Sequence, residues 1–363
     1  MTRKIFLYVP TLVGGGAEKV FVLLSKYFLT QGYDVTILCA YGNVYQEIIP
    51  SKVKVMRLCK KSPFKNKKLN LLFRLLCMPF LLLKVLVIHK PNFFMATVHE
   101  ANLLSYFCYK IFGSKKTKLI IRLANIFEPA TIGKLSAPLK YVISNSKYLI
   151  ANSPDTAHSY IQFVGKKIDI NIIGNPAYNN SKKEEEVISD NYLIAVGRLE
   201  PQKNYILMLE AFHLVIKKYP DLKLFILGTG SLESEIISNI KSLNLVENVE
   251  LKGFVKNPSF YYKNAKAFIL SSDFEGFGNV IIEAMSHGLP VISAKCPGGP
   301  NFILNRSEFG ELCEVKNPKA MATAILRVLN NPEKYPKEAI IKRAKDFSLE
   351  KIGEEYLRVI TDS

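Results

Sequence analysis

The chain has 363 residues, of which 48% are hydrophobic and 22% are charged, and its formal net charge is +18. This composition excludes a disordered or low-complexity protein and supplies enough apolar residues for roughly two or three packed domains. The six cysteines are scattered, with no CxxC pair and no histidine at ligand spacing. A disulfide scaffold and a structural zinc site are therefore disfavoured, and a reducing cytosol is favoured.

Short apolar runs alternate with helical patterns along the first half, as in a parallel sheet covered by helices. Residues 5–9 form the first predicted strand, and the glycines and Glu18 that follow at once indicate a turn, not a signal peptide. Residues 171–190, with their charged run at 182–186, are interpreted as a linker. The other predicted elements of this half are a helix at 17–30 and strands at 35–39, 93–97, 119–121 and 148–151.

The same alternation begins again after the linker. Strands are predicted at 192–196, 222–227, 249–251, 267–270 and 291–294, and helices at 205–218, 233–243, 280–287 and 349–361. The predicted fold class is therefore α/β, with two Rossmann-like doubly wound domains facing a central cleft. The expected boundaries are 1–175 for the first domain and 176–345 for the second. The last segment, 346–363, is a helix that can belong to either domain.

The positive charge is confined to the first half. Residues 1–180 hold 25 Lys and Arg against 7 Asp and Glu, whereas residues 181–363 hold 24 of each. Between Glu47 and Glu100 there is no acidic residue but eleven basic ones, eight of them in 52–68. Such an asymmetry predicts two domains with different partners, one of which faces something anionic.

The basic run precedes an apolar stretch, residues 69–88, that is hydrophobic on nearly every side of a helix. Cations next to such a helix are typical of a membrane-surface element, and a solvated loop is the alternative for the basic run. A helix buried in the first domain is the alternative for 69–88. Arg74, Pro79 and Lys84 interrupt the stretch and argue against a transmembrane helix.

Three glycines, Gly14, Gly15 and Gly16, stand between the first predicted strand and helix. Glycines there allow backbone amides to approach an anion at the positive end of a helix. The spacing matches neither GxGxxG nor a P-loop, and a tight turn without a ligand explains it as well.

The second half contains a stronger set of candidate residues. Arg198 and Lys203 follow a strand on one loop, where two cations can converge on a diphosphate. Two solvated surface cations explain this segment alone as well. Glu275 lies in a glycine-rich loop after a later strand, and Glu283 lies eight residues on, inside an apolar helix. We expect Glu275 to reach sugar hydroxyls and Glu283 a ribose. The amides expected to face a phosphate are those of Gly278, Asn279 and Val280.

Five segments occur in the order GGGAEK, GRLEPQKN, LGTGSLES, GFVKNPSFYYKNAKAFILSS and DFEGFGNVIIEAMSHGLPVIS. In this order they resemble the retaining family-4 glycosyltransferases of the GT-B fold. The resemblance covers essentially the whole chain and is most specific in 190–295, while 40–120 diverge. It implies a nucleotide-diphosphate sugar donor on the second domain and an acceptor on the first, without a metal. Its implied donor-binding residues are Gly15, Gly16, Gly253, Phe254, Gly276, Phe277, Gly278, Asn279, Val280 and Glu283.

Two positions depart from the family pattern. Many relatives carry a histidine near the reacting sugar after the strand predicted at 119–121, where this chain has Arg122 and Asn125. His99 is the nearest substitute and Asn125 the second. Relatives also often have an acidic residue at the position that Phe302 takes in this chain, so the resemblance does not carry that donor contact over.

The resemblance implies a retaining transfer of a sugar from a UDP-sugar to a lipid-linked or membrane-held glycan on the cytosolic face of the membrane. Its catalytic residues would be Glu275, Arg198, Lys203 and His99, and an anionic membrane surface would be a partner. One alternative is a sugar-nucleotide epimerase of the same fold, which would need more acid–base side chains. The other is a nucleic-acid-binding protein, against which the lack of an aromatic-basic RNA motif argues.

Overall fold

The computed structural model describes residues 2–12, 15–40, 49–59, 67–114, 116–128, 133–178 and 191–362. Gly14, the charged run 182–186 and the middle of the basic run, including Lys60, Lys61 and Lys65, lie outside these ranges. The chain divides into an N-terminal unit, Met1–Pro176 with Leu349–Ser363, and a C-terminal unit, Ala177–Ser348. The predicted domain boundaries lie close to these divisions.

The N-terminal unit is built on a seven-stranded parallel sheet with the order β3-β2-β1-β4-β5-β6-β7. Its central strands are buried on both faces, which explains their nearly continuous apolar sequences. The strands are β1 (Lys4–Val9), β2 (Asp34–Cys39), β3 (Lys54–Arg57), β4 (Phe93–Thr97), β5 (Lys118–Leu123), β6 (Tyr148–Ala151) and β7 (Asn171–Ile172).

Six helices cover this sheet: α1 (Gly16–Thr30), α2 (Lys67–His89), α3 (His99–Phe112), α4 (Ser136–Asn145), α5 (Pro154–Val164) and α13 (Leu349–Thr361). Helices α2 to α5 share one core with the strands, and each contacts the next helix along the chain. α1 contacts α13, the last helix of the chain. Within the described ranges, no helix is both long enough and apolar enough to cross a membrane.

The C-terminal unit has a six-stranded parallel sheet with the order β10-β9-β8-β11-β12-β13. Its strands are β8 (Tyr192–Val196), β9 (Lys223–Leu227), β10 (Val249–Gly253), β11 (Ala267–Leu270), β12 (Val291–Ala294) and β13 (Gly310–Cys313). Its helices are α6 (Tyr205–Ile216), α7 (Glu233–Ser242), α8 (Ser259–Asn264), α9 (Asn279–Ser286), α10 (Pro300–Ile303), α11 (Pro318–Asn330) and α12 (Lys337–Ala344).

The two parallel sheets confirm the predicted α/β class with two Rossmann-like domains. Part of the basic run is a strand that the sequence did not predict, because Lys54–Arg57 form the edge strand β3, where Lys54 pairs with Asp34 at 2.9 Å. The predicted linker likewise begins too early, because Asn171–Ile172 pairs with β6 as a second edge strand.

Candidate active site

The C-terminal unit has its topological switch point between β8 and β11. These strands are neighbours, but the chain continues from β8 to β9 on one side and from β11 to β12 on the other. In such sheets the loops after the two strands part and leave a crevice at their carboxyl ends, where ligands bind. The loop after β8 carries Arg198 and Lys203, and the loop after β11 carries Glu275, so the topology brings these predicted residues to one edge.

Lys203 and Glu275 form an ion pair at this edge. Lys203 Nζ donates to Glu275 Oε1 at 2.6 Å, and only 13% and 7% of the two side chains are exposed. Ser272 Oγ donates to the same carboxylate oxygen at 2.6 Å. Among the described residues, none donates to Glu275 Oε2. The pair therefore holds one carboxylate oxygen in place and leaves the other open.

The two loops are joined by their own hydrogen bonds. Gln202 Nε2 donates to the Phe274 carbonyl at 2.8 Å, and Asn204 Nδ2 donates to Asp273 Oδ1 at 2.9 Å. Ser271 Oγ also donates to the Lys203 carbonyl at 2.7 Å. Because these bonds flank the ion pair on both loops, the positions of its cation and its carboxylate are fixed together.

Two glycines that sequence reasoning missed bring a third loop against Glu275. A Cβ added at Gly298 would lie 2.1 Å from the Glu275 carbonyl oxygen, and one at Gly299 would lie 1.8 Å from that of Phe277. Only glycine permits this approach, and the Glu275 amide donates to the Pro297 carbonyl at 3.0 Å. The signal was the sequence CPGGP, which begins two residues after the end of β12.

The amino end of α9 lies in the same loop as Glu275. Gly278 precedes the helix with a φ of +92°, and no side chain caps its amino end. The partial positive charge of a helix amino end favours an anion there. Glu283 lies further along α9, where Tyr262 donates to its Oε2 at 3.5 Å.

Phe277 and Phe302 pack in one cluster of aromatic rings. Phe277 is buried against Phe302 and Phe347, and the Arg343 guanidinium lies over the rings of the latter two. The Phe277 side chain is thus part of the core, and a donor contact from Phe277 would come from its backbone. Phe302 fills its position with an apolar ring.

Arg198 is exposed, and its guanidinium makes no hydrogen bond within the described part of the chain. Its neighbour Glu200 is held by the amide and hydroxyl of Ser231, and these hydrogen bonds lower the pKa of Glu200. Gly253, at a φ of +64°, ends β10, and 74% of Phe254 is exposed at the same edge of the sheet. Arg198 and Phe254 are thus accessible to a ligand at the carboxyl ends of the strands.

In the N-terminal unit the switch point lies between β1 and β4. After β1, the Glu18 carboxylate accepts from the Gly15 amide at 2.9 Å and from Thr11 Oγ1 at 2.6 Å. The Gly15 amide, which was expected to approach the donor, thus already donates a hydrogen bond to Glu18. Gly16, by contrast, has open space where a Cβ would be.

After β4, Val98 takes a φ of +68°, which is strained for a β-branched residue, and His99 follows at the start of α3. His99 Nε2 lies 2.5 Å from the hydroxyl of buried Tyr160, and burial lowers the pKa of His99. Burial therefore favours the neutral form of the imidazole. Asn125 is exposed after β5.

Arg122 stands at the carboxyl end of β5 and is 1% exposed. Its guanidinium donates to Tyr356 Oη at 2.8 Å, to Thr97 Oγ1 at 3.0 Å and to Asn175 Oδ1 at 2.5 Å. Arg122 therefore joins β4 and β5 to α13 and to the residue before Pro176. Through these buried hydrogen bonds it holds the N-terminal unit together.

We expect His99→Ala to lower kcat/KM by about tenfold and Tyr160→Phe to lower it less, by about twofold to fivefold, the lower part of the range for one neutral hydrogen bond. Initial rates at varied donor and acceptor measure both. A loss confined to the KM of the acceptor assigns His99 to the acceptor, and a loss in kcat assigns it to the reacting sugar. Tyr192→Phe, which removes a buried hydroxyl bonded to the Tyr261 carbonyl, is the control. Unchanged kinetics in both test variants would contradict a role for His99.

The described residues include no cluster of three or more His, Cys, Asp or Glu side chains that could hold a metal ion.

Comparisons with known proteins identify similar sequences and similar folds. The family described as "Glycosyl transferases group 1" matches residues 178–347. A relative from Campylobacter jejuni subsp. jejuni is N-acetylgalactosamine-N,N'-diacetylbacillosaminyl-diphospho-undecaprenol 4-alpha-N-acetylgalactosaminyltransferase. It is 28% identical over 99% of this chain and 99% of its own length.

Two solved structures share the fold. Anabaena Alr3699/HepE in complex with UDP superposes with a TM-score of 0.81 and 18% identity over 100% of both chains. The apo form of the lipopolysaccharide outer core galactosyltransferase WaaB gives a TM-score of 0.77 and 19% identity over 99% of both chains. The two parallel sheets have the fold of the GT-B glycosyltransferases. Residues 178–347, somewhat less than half of the chain, match the glycosyl transferases group 1 domain.

Proposed function

We propose that this glycosyltransferase belongs to the retaining family 4 and moves a sugar from a UDP-sugar to a lipid-linked or membrane-held glycan on the cytosolic face of the membrane. The observation that carries the proposal is the Lys203–Glu275 ion pair at the switch point, beside the amino end of α9. The Campylobacter relative is named for a diphospho-undecaprenol acceptor, and Alr3699/HepE binds UDP.

The donor diphosphate would be held without a metal. Arg198 supplies an exposed guanidinium that can bind phosphate oxygens in a bidentate manner. Lys203 supplies a second cation, and the amides of Gly278, Asn279 and Val280 supply donors at the positive end of α9. These groups stabilise negative charge as it develops on the leaving diphosphate, which is the role that a metal would otherwise have.

Retention would follow from attack on the face of the sugar that the diphosphate leaves. The bond from the anomeric carbon to the diphosphate oxygen breaks, and the acceptor hydroxyl oxygen forms the new bond on the same face. The departing diphosphate takes the hydroxyl proton, so no separate carboxylate base is needed. Glu275, whose Oε1 is occupied by Lys203, orients the sugar through Oε2.

The acceptor would bind the N-terminal unit near His99, and the positive charge of residues 1–180 would attract that unit to an anionic membrane. A water-soluble analogue of the glycan should then be a substrate as well, because the chemistry itself needs no lipid.

A thermal-shift series with nucleotides tests the donor. A ligand at a hundred times its Kd stabilises the folded state by about 2.7 kcal/mol, which raises the Tm by several degrees in a unit of this size. We expect UDP and one UDP-sugar to raise the Tm, and GDP and ADP to have little effect. A larger shift with GDP or ADP would contradict UDP as the nucleotide of the donor. No shift with any of these nucleotides would contradict the proposal. The anomeric configuration of the product, measured by NMR coupling constants, tests retention separately.

A further inference from the structure

Tyr205 carries a buried hydroxyl close to Lys203. Tyr205 is the first residue of α6, and only 2% of it is exposed. In the described part of the chain, its hydroxyl makes no hydrogen bond. A buried phenol normally has a partner, because an unpaired O–H group that is shielded from water costs free energy. An unpaired hydroxyl of this kind marks a position where a bound molecule supplies the partner.

The start of α6 is held in place by Asn204, the residue before Tyr205. Asn204 Oδ1 accepts from the Leu207 amide at 3.3 Å, which caps the helix. Its Nδ2 donates to Asp273 Oδ1 at 2.9 Å, in the loop after β11. The Tyr205 ring follows directly, so its hydroxyl is fixed relative to both loops of the switch point.

The hydroxyl meets the loop after β8 at a glycine. A Cβ added at Gly197 would lie 3.1 Å from Tyr205 Oη and 3.4 Å from Lys203 Cε. The hydroxyl and the lysine side chain thus converge on one residue, and a side chain there would crowd both. Gly228 packs so closely on this loop that its own Cβ would lie 1.8 Å from the Gly197 carbonyl oxygen. The backbone is therefore held close to the hydroxyl, and the glycine leaves space beside it.

The charges near the hydroxyl indicate what it can bind. Burial raises the pKa of Tyr205, and the negative charge of Glu275 raises it further. The phenol therefore stays protonated at neutral pH and can donate a hydrogen bond. Lys203 supplies a cation beside it. A hydrogen-bond donor next to an ammonium group complements an anionic oxygen better than it complements a neutral one, and phosphate oxygens are anionic acceptors.

We propose that the Tyr205 hydroxyl donates a hydrogen bond to a phosphate oxygen of the nucleotide-diphosphate donor, beside Lys203. The proposal rests on the proposed function for the presence of a diphosphate. It adds a donor-binding residue that neither the motif spacing nor the resemblance indicated. Because the hydroxyl has no partner to give up among the described residues, its hydrogen bond to the phosphate replaces none within the protein.

Replacing Tyr205 by Phe tests the proposal, because the change removes the hydroxyl and keeps the ring. Tyr192→Phe is the matched control. Tyr192 lies on β8 and is 1% exposed, and its hydroxyl donates to the Tyr261 carbonyl at 2.8 Å. Tyr205→Phe should not lower the Tm of the free protein, since it breaks no hydrogen bond there. Tyr192→Phe should lower the Tm and leave ligand binding unchanged.

Isothermal titration with uridine, UDP and inorganic pyrophosphate measures the contact itself. We expect Tyr205→Phe to bind UDP and pyrophosphate about tenfold more weakly than the unchanged protein, which is the loss of one hydrogen bond to a charged group. Uridine should bind both proteins equally. Equal losses for uridine and UDP would assign the hydroxyl to the ribose and overturn the proposal. So would unchanged affinity for all three ligands, or a loss of Tm as large as that of Tyr192→Phe.

Pyrophosphate separates this result from the proposed function, because it carries no base. If only pyrophosphate binds, and binds Tyr205→Phe more weakly, UDP is wrong as the nucleotide and the Tyr205 contact stands. If UDP binds the unchanged protein and Tyr205→Phe equally well, the proposed donor stands and the Tyr205 contact is wrong. If neither ligand binds the unchanged protein, both proposals are contradicted.

Discussion

Replacing Glu275 by Gln is expected to lower turnover by about 100-fold or more, a loss typical of removing one aligned polar group that acts in a transition state. An amide has almost the shape of the carboxylate but does not carry its charge. Lys203 would then lie beside a neutral group, and its cation would no longer be fixed by the 2.6 Å ion pair. The sugar would also lose a charged acceptor at Oε2. Initial rates with a verified donor measure the loss.

Because Glu275 is buried, its replacement can lower the stability of the protein as well as its turnover, and the two effects must be separated. Glu311 offers a matched control, because it is also a buried glutamate in the C-terminal unit and accepts from Lys334 at 3.0 Å and from Tyr335. Burial raises the pKa of Glu311, but the hydrogen bonds from Tyr335 and Lys334 outweigh it and leave the pKa below its ordinary value.

Glu311 therefore stabilises the fold above the ordinary pKa of a glutamate and loses that contribution as the pH falls. Glu311→Gln should lower the free energy of unfolding and leave turnover of the folded protein nearly unchanged. A Glu275→Gln variant with near-normal turnover would contradict the assignment of the site. Equal losses of turnover in both variants would trace the effect to folding.

Strands in the middle of each sheet were predictable because both of their faces are buried. β4, β6, β8, β11 and β12 have the predicted bounds, since a continuous apolar run bounded by turns leaves little choice. β3 was missed for the opposite reason. Its sequence KVMR is only partly buried, and an edge strand tolerates lysine and arginine on its open side.

The residues of the site were predictable singly, and their contacts were not. Spacing and strand ends indicated Lys203 and Glu275 separately. Their ion pair joins positions 72 residues apart, and it depends on the sheet order that places β8 next to β11. The close approach at Gly298 and Gly299 is a backbone contact between two loops, which no side-chain pattern encodes. Gly15 is the opposite case. Its place between strand and helix predicted an amide available to the donor, but that amide donates to Glu18, three residues further on.

Arg198 and Lys203 are expected to differ when each is removed, although both were predicted to contact the diphosphate. Arg198 is exposed and makes no hydrogen bond within the described residues, so Arg198→Ala should leave the Tm of the free protein unchanged. A hydrogen bond to a charged group contributes about 1.5–3 kcal/mol, so the affinity for UDP should fall by roughly 10- to 100-fold. Lys217→Ala is the control. It removes one positive charge at the carboxyl end of α6, away from the switch point, and should leave UDP binding intact.

Lys203→Met should weaken UDP binding, lower turnover by about 100-fold and also lower the Tm, because it leaves the Glu275 carboxylate buried without its cation. Breaking a buried ion pair on one side costs about 3–5 kcal/mol, whereas removing both charges is often nearly neutral. The double variant Lys203→Met with Glu275→Gln should therefore regain most of the lost Tm and none of the turnover. Isothermal titration with UDP, thermal unfolding and initial rates on the three variants measure each quantity. If Lys203→Met and Arg198→Ala both bind UDP with unchanged affinity, the diphosphate does not bind at this switch point. If the double variant regains turnover along with stability, the pair serves only the fold, and the cation at the leaving group must be another residue.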